Sequence, residues 1–327
     1  GRLVPAKHGR EQMPLKGKGF DRMDDEVTYT ASMDGKIEMQ NDRIVVLPVH
    51  EVSGNAELAE GNIDFRGDIV IHGNVESGVN IRATGSITID GVAEACMLEA
   101  GKDIILRGGM LGGNKASVKT KGAITAKFFE FTNILCEGDL QADVLMDCSV
   151  ICHGQIRLTG RKGSIIGGKV QAIRGLIATS LGNDAEKRTE IFVGAGIDVY
   201  SRLRVMEKKI EMTREELAKI EEGLEKFEIL SKERGVSYTN DPRRTSLLRI
   251  KIKDSAILAS DEEEVRKLRI LAESSKGACV SVLQEIYPGV VINMDELKLA
   301  LKNMATGVEF YKLPDKIGTR PCSAGVE

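Results

Sequence analysis

At 327 residues, 42% of them hydrophobic, the chain can fill a sizeable core and has room for two or three domains. Forty-six Lys and Arg against 49 Asp and Glu leave a net charge of -3, which argues against a nucleic-acid or polyanion binder that works by bulk charge. No apolar run approaches the ~18 residues of a membrane span, and GRLVPAKHGR lacks the apolar stretch of a signal peptide, so a cytoplasmic protein is expected.

In chain order, residues 1–43 read as an N-terminal β segment, 44–200 as a repetitive β region, 201–276 as a helical hairpin and 277–327 as a returning β segment. The second region holds 23 of the 35 glycines, all between 54 and 196, and its apolar residues recur every second position, the period of a strand. Two short runs flank each centre: Ile63, Phe65, Gly67, Ile69, Ile71, then Ile81, Ala83, Gly85, Ile87, Ile89, and so on. The centres fall at 48, 67, 85, 102, 122, 138, 154, 174 and 195. The ninth unit reads Ile191, Val193, Ala195, Ile197, Val199.

A unit of 16–21 residues with a third apolar point past each centre (Val75, Val92, Met110, Phe129, Leu145) describes one turn of a three-sided solenoid. The expected fold is mainly β: a right-handed parallel β-helix of about nine coils with an antiparallel coiled-coil hairpin inserted. Small and branched aliphatics suit its narrow interior and explain 4% aromatics and no Trp. Glycine at the centres is expected for its freedom at positive φ. Outward apolar residues, Val70, Ile105 and Ile177 on one column and Leu135 and Ile151 on another, call for cover or a partner.

Residues 202–276 carry 34 charges, with Leu203, Ile210, Leu217, Leu224 and Met206, Ile220, Phe227 stepping by seven as an a/d seam. After Gly235 and Asp241-Pro242, a second helix from about Thr245 to Ser275 has a poorer seam, Leu247, Ile250, Ile257, Leu268 and Leu271, interrupted by Asp254 and Asp261. Ser260 with Glu263 resembles a capping box and suggests a restart at Asp261. The tip is basic at Arg243, Arg244, Arg249, Lys251 and Lys253 but lacks interleaved aromatics for base stacking, which argues against nucleic acid. Beyond Gly277, strand character returns around Tyr287-Pro288-Gly289, and these strands are expected to cap or pad the solenoid.

The segments GNIDFRGDIVIHGNV (61–75), GSITIDGVAEACMLEAGKDIILRGGMLGG (85–113), KGAITAKFFEFTNILCEGDL (121–140), GSIIGGKVQA (163–172) and IYPGVVINM (286–294) resemble the flagellar assembly protein A (FapA) family. The order of segments matches too, over roughly residues 30–312, while Thr84, Lys102, Glu137 and His153 depart from the Ala-Gly-Gly bends common in that family. The resemblance implies a non-enzymatic scaffold or adaptor for flagellar assembly or polar placement, with flagellar or polar-localisation proteins as partners and no catalytic residues to transfer. An alternative is a self-associating cytoskeletal or division module of the bactofilin or MinC type, in which a second copy is the partner.

An enzyme acting on polysaccharide would have to use Asp68, Asp103 and Asp139, the one carboxylate column in the repeat. No catalytic site, cofactor or metal is expected: six cysteines form no CxxC pair, and Cys148, Cys152 and His153 do not have zinc-ligand spacing. The candidate partner-binding residues are Leu135 and Ile151 on the solenoid and Tyr238, Arg243 and Arg244 at the hairpin tip.

Overall fold

Period-two alternation with short, Gly-marked bends leaves most strands only two to six residues long, too short to stand alone and able to pair in parallel with their equivalents one turn away. The computed structural model shows that arrangement, a β-solenoid of about eight turns with two helices packed together, and describes residues 16–25, 27–41, 43–235, 237–239 and 241–322. The chain divides into two compact units, Gly1–Asn133 and Ile134–Glu327.

In the first unit, Val49–Val52, Asp68–Ile71, Ile87–Ile89, Ile104–Leu106 and Ile124–Ala126 stack in parallel as one face. Ile63–Phe65, Asn80–Ala83, Met97–Ala100 and part of Met110–Thr120 form a second. Bridges Ala56 to Val75, Val75 to Ala93 and Ala93 to Met110 mark the third side. The inward columns are almost uniformly aliphatic: Ile69, Ile87, Ile104 and Ile124 lie one above another, as do Ile81, Leu98 and Val118, all buried. Upstream, Gly17–Lys18 and Lys36–Gln40 flank Arg43–Leu47, and Phe20–Arg22 pairs with Tyr29–Ala31.

The second unit continues the same logic. Leu140, Ile156, Leu176 and Val280 make one inward column, and Val150, Val170, Ile191 and Ile292 another. Here the ninth unit of the sequence frame departs from expectation. Ile197 and Val199 do not continue a strand; they lie in the first turn of helix α1, Gly196–Arg234, where Gly194 (φ 101°) and Gly196 (φ 73°) swing the chain out of the coil. The vacated place is taken by Cys279–Ile286, which pairs in parallel with Leu176–Leu181, followed by Val290–Met294 on Thr189–Val193. The pairing then reverses sense: Leu297–Ala300, Ala305–Lys312 and Ile317–Pro321 add antiparallel strands, which ends parallel growth.

Helix α1 ends at Gly235 in the left-handed conformation, and α2, Pro242–Ser274, starts from Asp241, whose Oδ1 accepts the Arg243 backbone N–H at 2.8 Å, with Pro242 at the first helical position. Every predicted seam residue of α1 is buried or half-buried. The α2 seam differs from expectation. It runs Leu247, Lys251, Asp254, Leu258, Asp261, Val265 and Leu268, each buried or half-buried, while Ile250 and Ile257 are exposed. The two aspartates are therefore seam members, and the carboxylate of Asp261 is held by Lys209 Nζ at 2.7 Å. The restart at Asp261 does not occur either, because α2 is unbroken and Ser260 and Glu263 both sit within it.

Candidate partner interface

The solenoid surface is ordered by a ladder of side chains that the sequence frame did not resolve. Asp68 Oδ1 accepts the N–H of Ser86 at 2.7 Å, Asp103 Oδ1 that of Ala123 at 2.7 Å, and Asp139 Oδ1 that of Gln155 at 2.8 Å. Asn55 and Asn74 do the same for Asn74 and Val92, at 2.9 and 2.8 Å. Each acceptor reaches the residue that follows a glycine one coil further on, and the missing side chain makes the room. A Cβ on Gly85, Gly122 or Gly154 would lie 2.0, 2.3 or 2.2 Å from the incoming Oδ1. Close approach, not positive φ, is what selects glycine at these three centres; Gly67, at φ 148°, is where conformational freedom is used. Asp68, Asp103 and Asp139 therefore act as turn caps, each with one oxygen committed to the backbone of the next coil.

The cysteines are equally structural. Burial raises the Cys96 thiol to about 12. Cys152 is pushed up further by its neighbour Cys136 and by burial, and its thiol donates to the Gly138 carbonyl at 3.2 Å. Among the described residues, no three His, Cys, Asp or Glu side chains are grouped to hold a metal ion.

Leu135 and Ile151 do lie side by side. The Cys136 carbonyl accepts the His153 N–H at 2.9 Å, the same bond that Ala83 and Gly101 make where Ala83 stacks on Ala100. Leu135 is half-buried and Ile151 is 44% exposed. The column continues through Gln171 to Phe192, whose ring carries Lys169 Nζ at 4.6 Å from its centroid. Val70 and Ile105 are spaced differently, with Thr88 between them and Glu51 and Thr125 outside, while Ile177 stands between Arg157 and Ser281. Those three are single apolar residues in polar columns and need no cover.

At the hairpin tip, Tyr238 is half-buried against Phe227, ring centroids 6.2 Å apart and tilted 58°. Arg244 borders the same shallow depression with Lys232 and Glu228, whereas Arg243 is fully on the surface. Lower down, cations are consumed across the helix pair: Lys251 with Glu221 at 2.7 Å, Lys209 with Asp261 at 2.7 Å, Arg269 with Glu207 at 2.6 Å, and Arg202 and Arg214 with Glu264 and Glu262. Among the described residues Arg243, Arg244, Arg249 and Lys253 have no such acid, so the five-cation cluster expected from sequence reduces to four available charges.

This architecture, a β-solenoid interrupted by a long helical pair and resumed afterwards, coincides with one family profile. The Flagellar Assembly Protein A beta solenoid domain, FapA, matches residues 48–317. The chain belongs to the FapA family. No curated protein and no solved structure matches it.

The FapA match embraces the hairpin as well as the coils on both sides of it, so the insertion lies inside the matched domain. Two features of this FapA chain escaped sequence reasoning. One is the Asx ladder, whose signal is the recurring Gly-Asn and Gly-Asp pair at 54–55, 73–74, 67–68 and 138–139. The other is the Phe227–Tyr238 contact, which gives the basic tip an aromatic floor. No helix among the described residues is long and apolar enough to cross a membrane.

Proposed function

We propose that this FapA-family chain is a non-enzymatic scaffold or adaptor in flagellar assembly or polar placement, working in the cytoplasm by binding other proteins. The observation that carries this reading is the division of labour on the surface. The solenoid's recurrent carboxylates are committed to the backbone of the neighbouring coil, while the cations left over are concentrated at the end of a projecting hairpin. Membership of a family described by flagellar assembly supplies the process.

Two surfaces are offered as docking sites. The first is the tip, where the aromatic pair of Phe227 and Tyr238 is flanked by Arg243 and Arg244. The second is the apolar pair Leu135 and Ile151. The test is complementation of a deletion strain by the wild-type chain and by R243E/R244E and I151E variants, with motility and flagellar number as readouts. Pull-down with mass spectrometry of bound proteins accompanies it. Normal motility in the deletion strain, together with no protein partner captured by the wild type, would overturn the reading.

A further inference from the structure

The hairpin is tied together along its length and loosely held at its root. Five cross-helix ion pairs bind α1 to α2, with Arg202, Lys209, Arg214, Lys251 and Arg269 each meeting an acid of the other helix. Nothing comparable ties the pair to the coils. The extensive packing of each helix is on the other, and among the described residues no ion pair joins either helix to a strand.

Two glycines form the attachment. Ala195 is buried at the end of the coil, and Gly196, at φ 73°, follows it directly as the first residue of α1, whose N-terminus no side chain caps. On the return, Gly277, at φ 78°, stands between α2 and the strand that starts at Cys279. A Cβ on Gly277 would meet no atom within 4 Å, and one on Gly196 only Gln171 Nε2 at 3.9 Å, so both backbones have room to turn. Two pivots define one line. With Tyr200 and Ser275 keeping the two connections together just beyond it, rotation about the line from Gly196 to Gly277 is the soft motion left to the arm.

That motion opens or closes a gap. Tyr200, Ser201 and Arg204 on the first turns of α1 face Asp295, Glu296 and Lys312 on the capping strands across a space of about 310 Å³. Lys312 Nζ is held at 2.5 Å by Asp295 on its own side of the gap. Arg204 and Glu296 are both exposed, carry opposite charge and form no ion pair among the described residues.

We infer that the hairpin is a swinging arm, hinged at Gly196 and Gly277, with Arg204 and Glu296 as the latch that closes its root against the capping strands. The lever makes the motion large. Arg204 lies about 12 Å along α1 from Gly196 and Glu225 about 43 Å, so bringing Arg204 about 3 Å nearer, roughly one water layer, carries Glu225 through about 11 Å. An exposed ion pair shifts the balance of two states only about two- to fivefold, so a latch of this kind leaves open and closed positions both populated. The arm sets where its tip stands relative to the coils, whichever protein the tip binds.

The test is double electron–electron resonance on the full chain carrying C279S and C322S. One spin label is placed at E225C on the arm and the second at Q141C or K169C, exposed positions on two different faces of the coil, so that a swing cannot leave both distances unchanged. Labels at E225C and A259C, both within the hairpin, supply the reference width. The arm-to-coil distances are expected to spread over roughly 10 Å beside a narrow reference. R204E and E296R should each deplete the closed component at least about twofold, and R204E/E296R should restore it, because the pair regains opposite charge. Arm-to-coil distributions as narrow as the reference, distributions indifferent to R204E and E296R, or a double variant no different from the single ones would overturn the inference.

Discussion

The ladder that joins one coil to the next can be broken from either end, and the two ends should respond differently. At the Asp103 to Ala123 rung, D103A removes the acceptor 2.7 Å from the Ala123 N–H. A hydrogen bond to a carboxylate contributes about 1.5–3 kcal/mol when shielded; the exposure of Asp103 to solvent lowers the expected cost to about 1 kcal/mol. D103N keeps an oxygen in the same place and should cost less than half as much. From the other end, G122A puts a Cβ 2.3 Å from Asp103 Oδ1 and 2.7 and 2.8 Å from the Lys102 carbonyl carbon and oxygen. Because two of these neighbours are backbone, they yield poorly, and about 2–3 kcal/mol is expected, in the range of overpacking. Combining D103A with G122A should recover only part of that cost, since the Lys102 backbone remains in the way. Urea unfolding followed by the β-sheet signal near 218 nm, in a background where the hairpin signal is monitored separately, measures all four variants. Equal stability of D103A and D103N, or a G122A protein as stable as the wild type, would refute the account of why glycine occupies the coil centres.

Three further outcomes follow from the structure. K209A leaves the shielded carboxylate of Asp261 without its cation and should destabilise the hairpin by about 2 kcal/mol, whereas D261L fills the seam with an apolar side chain and should be neutral or stabilising; helix melting at 222 nm separates the two. Native protein treated with a thiol reagent at pH 8 should modify at most the half-buried Cys279 and Cys322. Cys96, raised to about 12 by burial, and the buried Cys136, Cys148 and Cys152 should react only after denaturation. V282D, in the inward column above Ala178, should unfold the coil that closes the solenoid at a cost of about 4 kcal/mol or more for a buried unpaired charge, detectable as limited proteolysis C-terminal to Lys276.

The coils were legible because their inward columns repeat one chemistry at one spacing, and a single residue's slip would expose every aliphatic side chain. The α1 seam was legible for the same reason. The α2 seam was not, because Lys251, Asp254 and Asp261 occupy places that pattern reading reserves for apolar residues, and it takes the cross-helix cation Lys209 to account for Asp261 and the cross-helix acid Glu221 to account for Lys251. Ile197 and Val199 misled in the opposite direction. They satisfy strand alternation from Ile191 onward, yet the turn at Gly194 and Gly196 decides their fate. Of the candidate interface, the adjacency of Leu135 and Ile151 could be read from the repeat frame. The packing of Tyr238 on Phe227 could not, since it depends on how the connection folds back over α1.

The insertion of the hairpin in mid-coil bears on how the chain is built. Val280 joins Leu176 in one ladder across more than a hundred intervening residues, a separation that makes spontaneous closure slow. Zipping α1 against α2 shortens that journey. Their joined ends bring Tyr200 Oη within 3.5 Å of Ser275 Oγ, so the chain leaves and re-enters the coil at almost one point. The excursion then contributes to closure like a loop of a few residues instead of about eighty, worth about 2 kcal/mol in lost-entropy terms since the cost grows with the logarithm of loop length. A helical pair that assembles locally as soon as it leaves the ribosome would deliver Cys279–Ile286 to an edge already waiting for it. On this view the hairpin serves as a folding clamp before it serves as an arm.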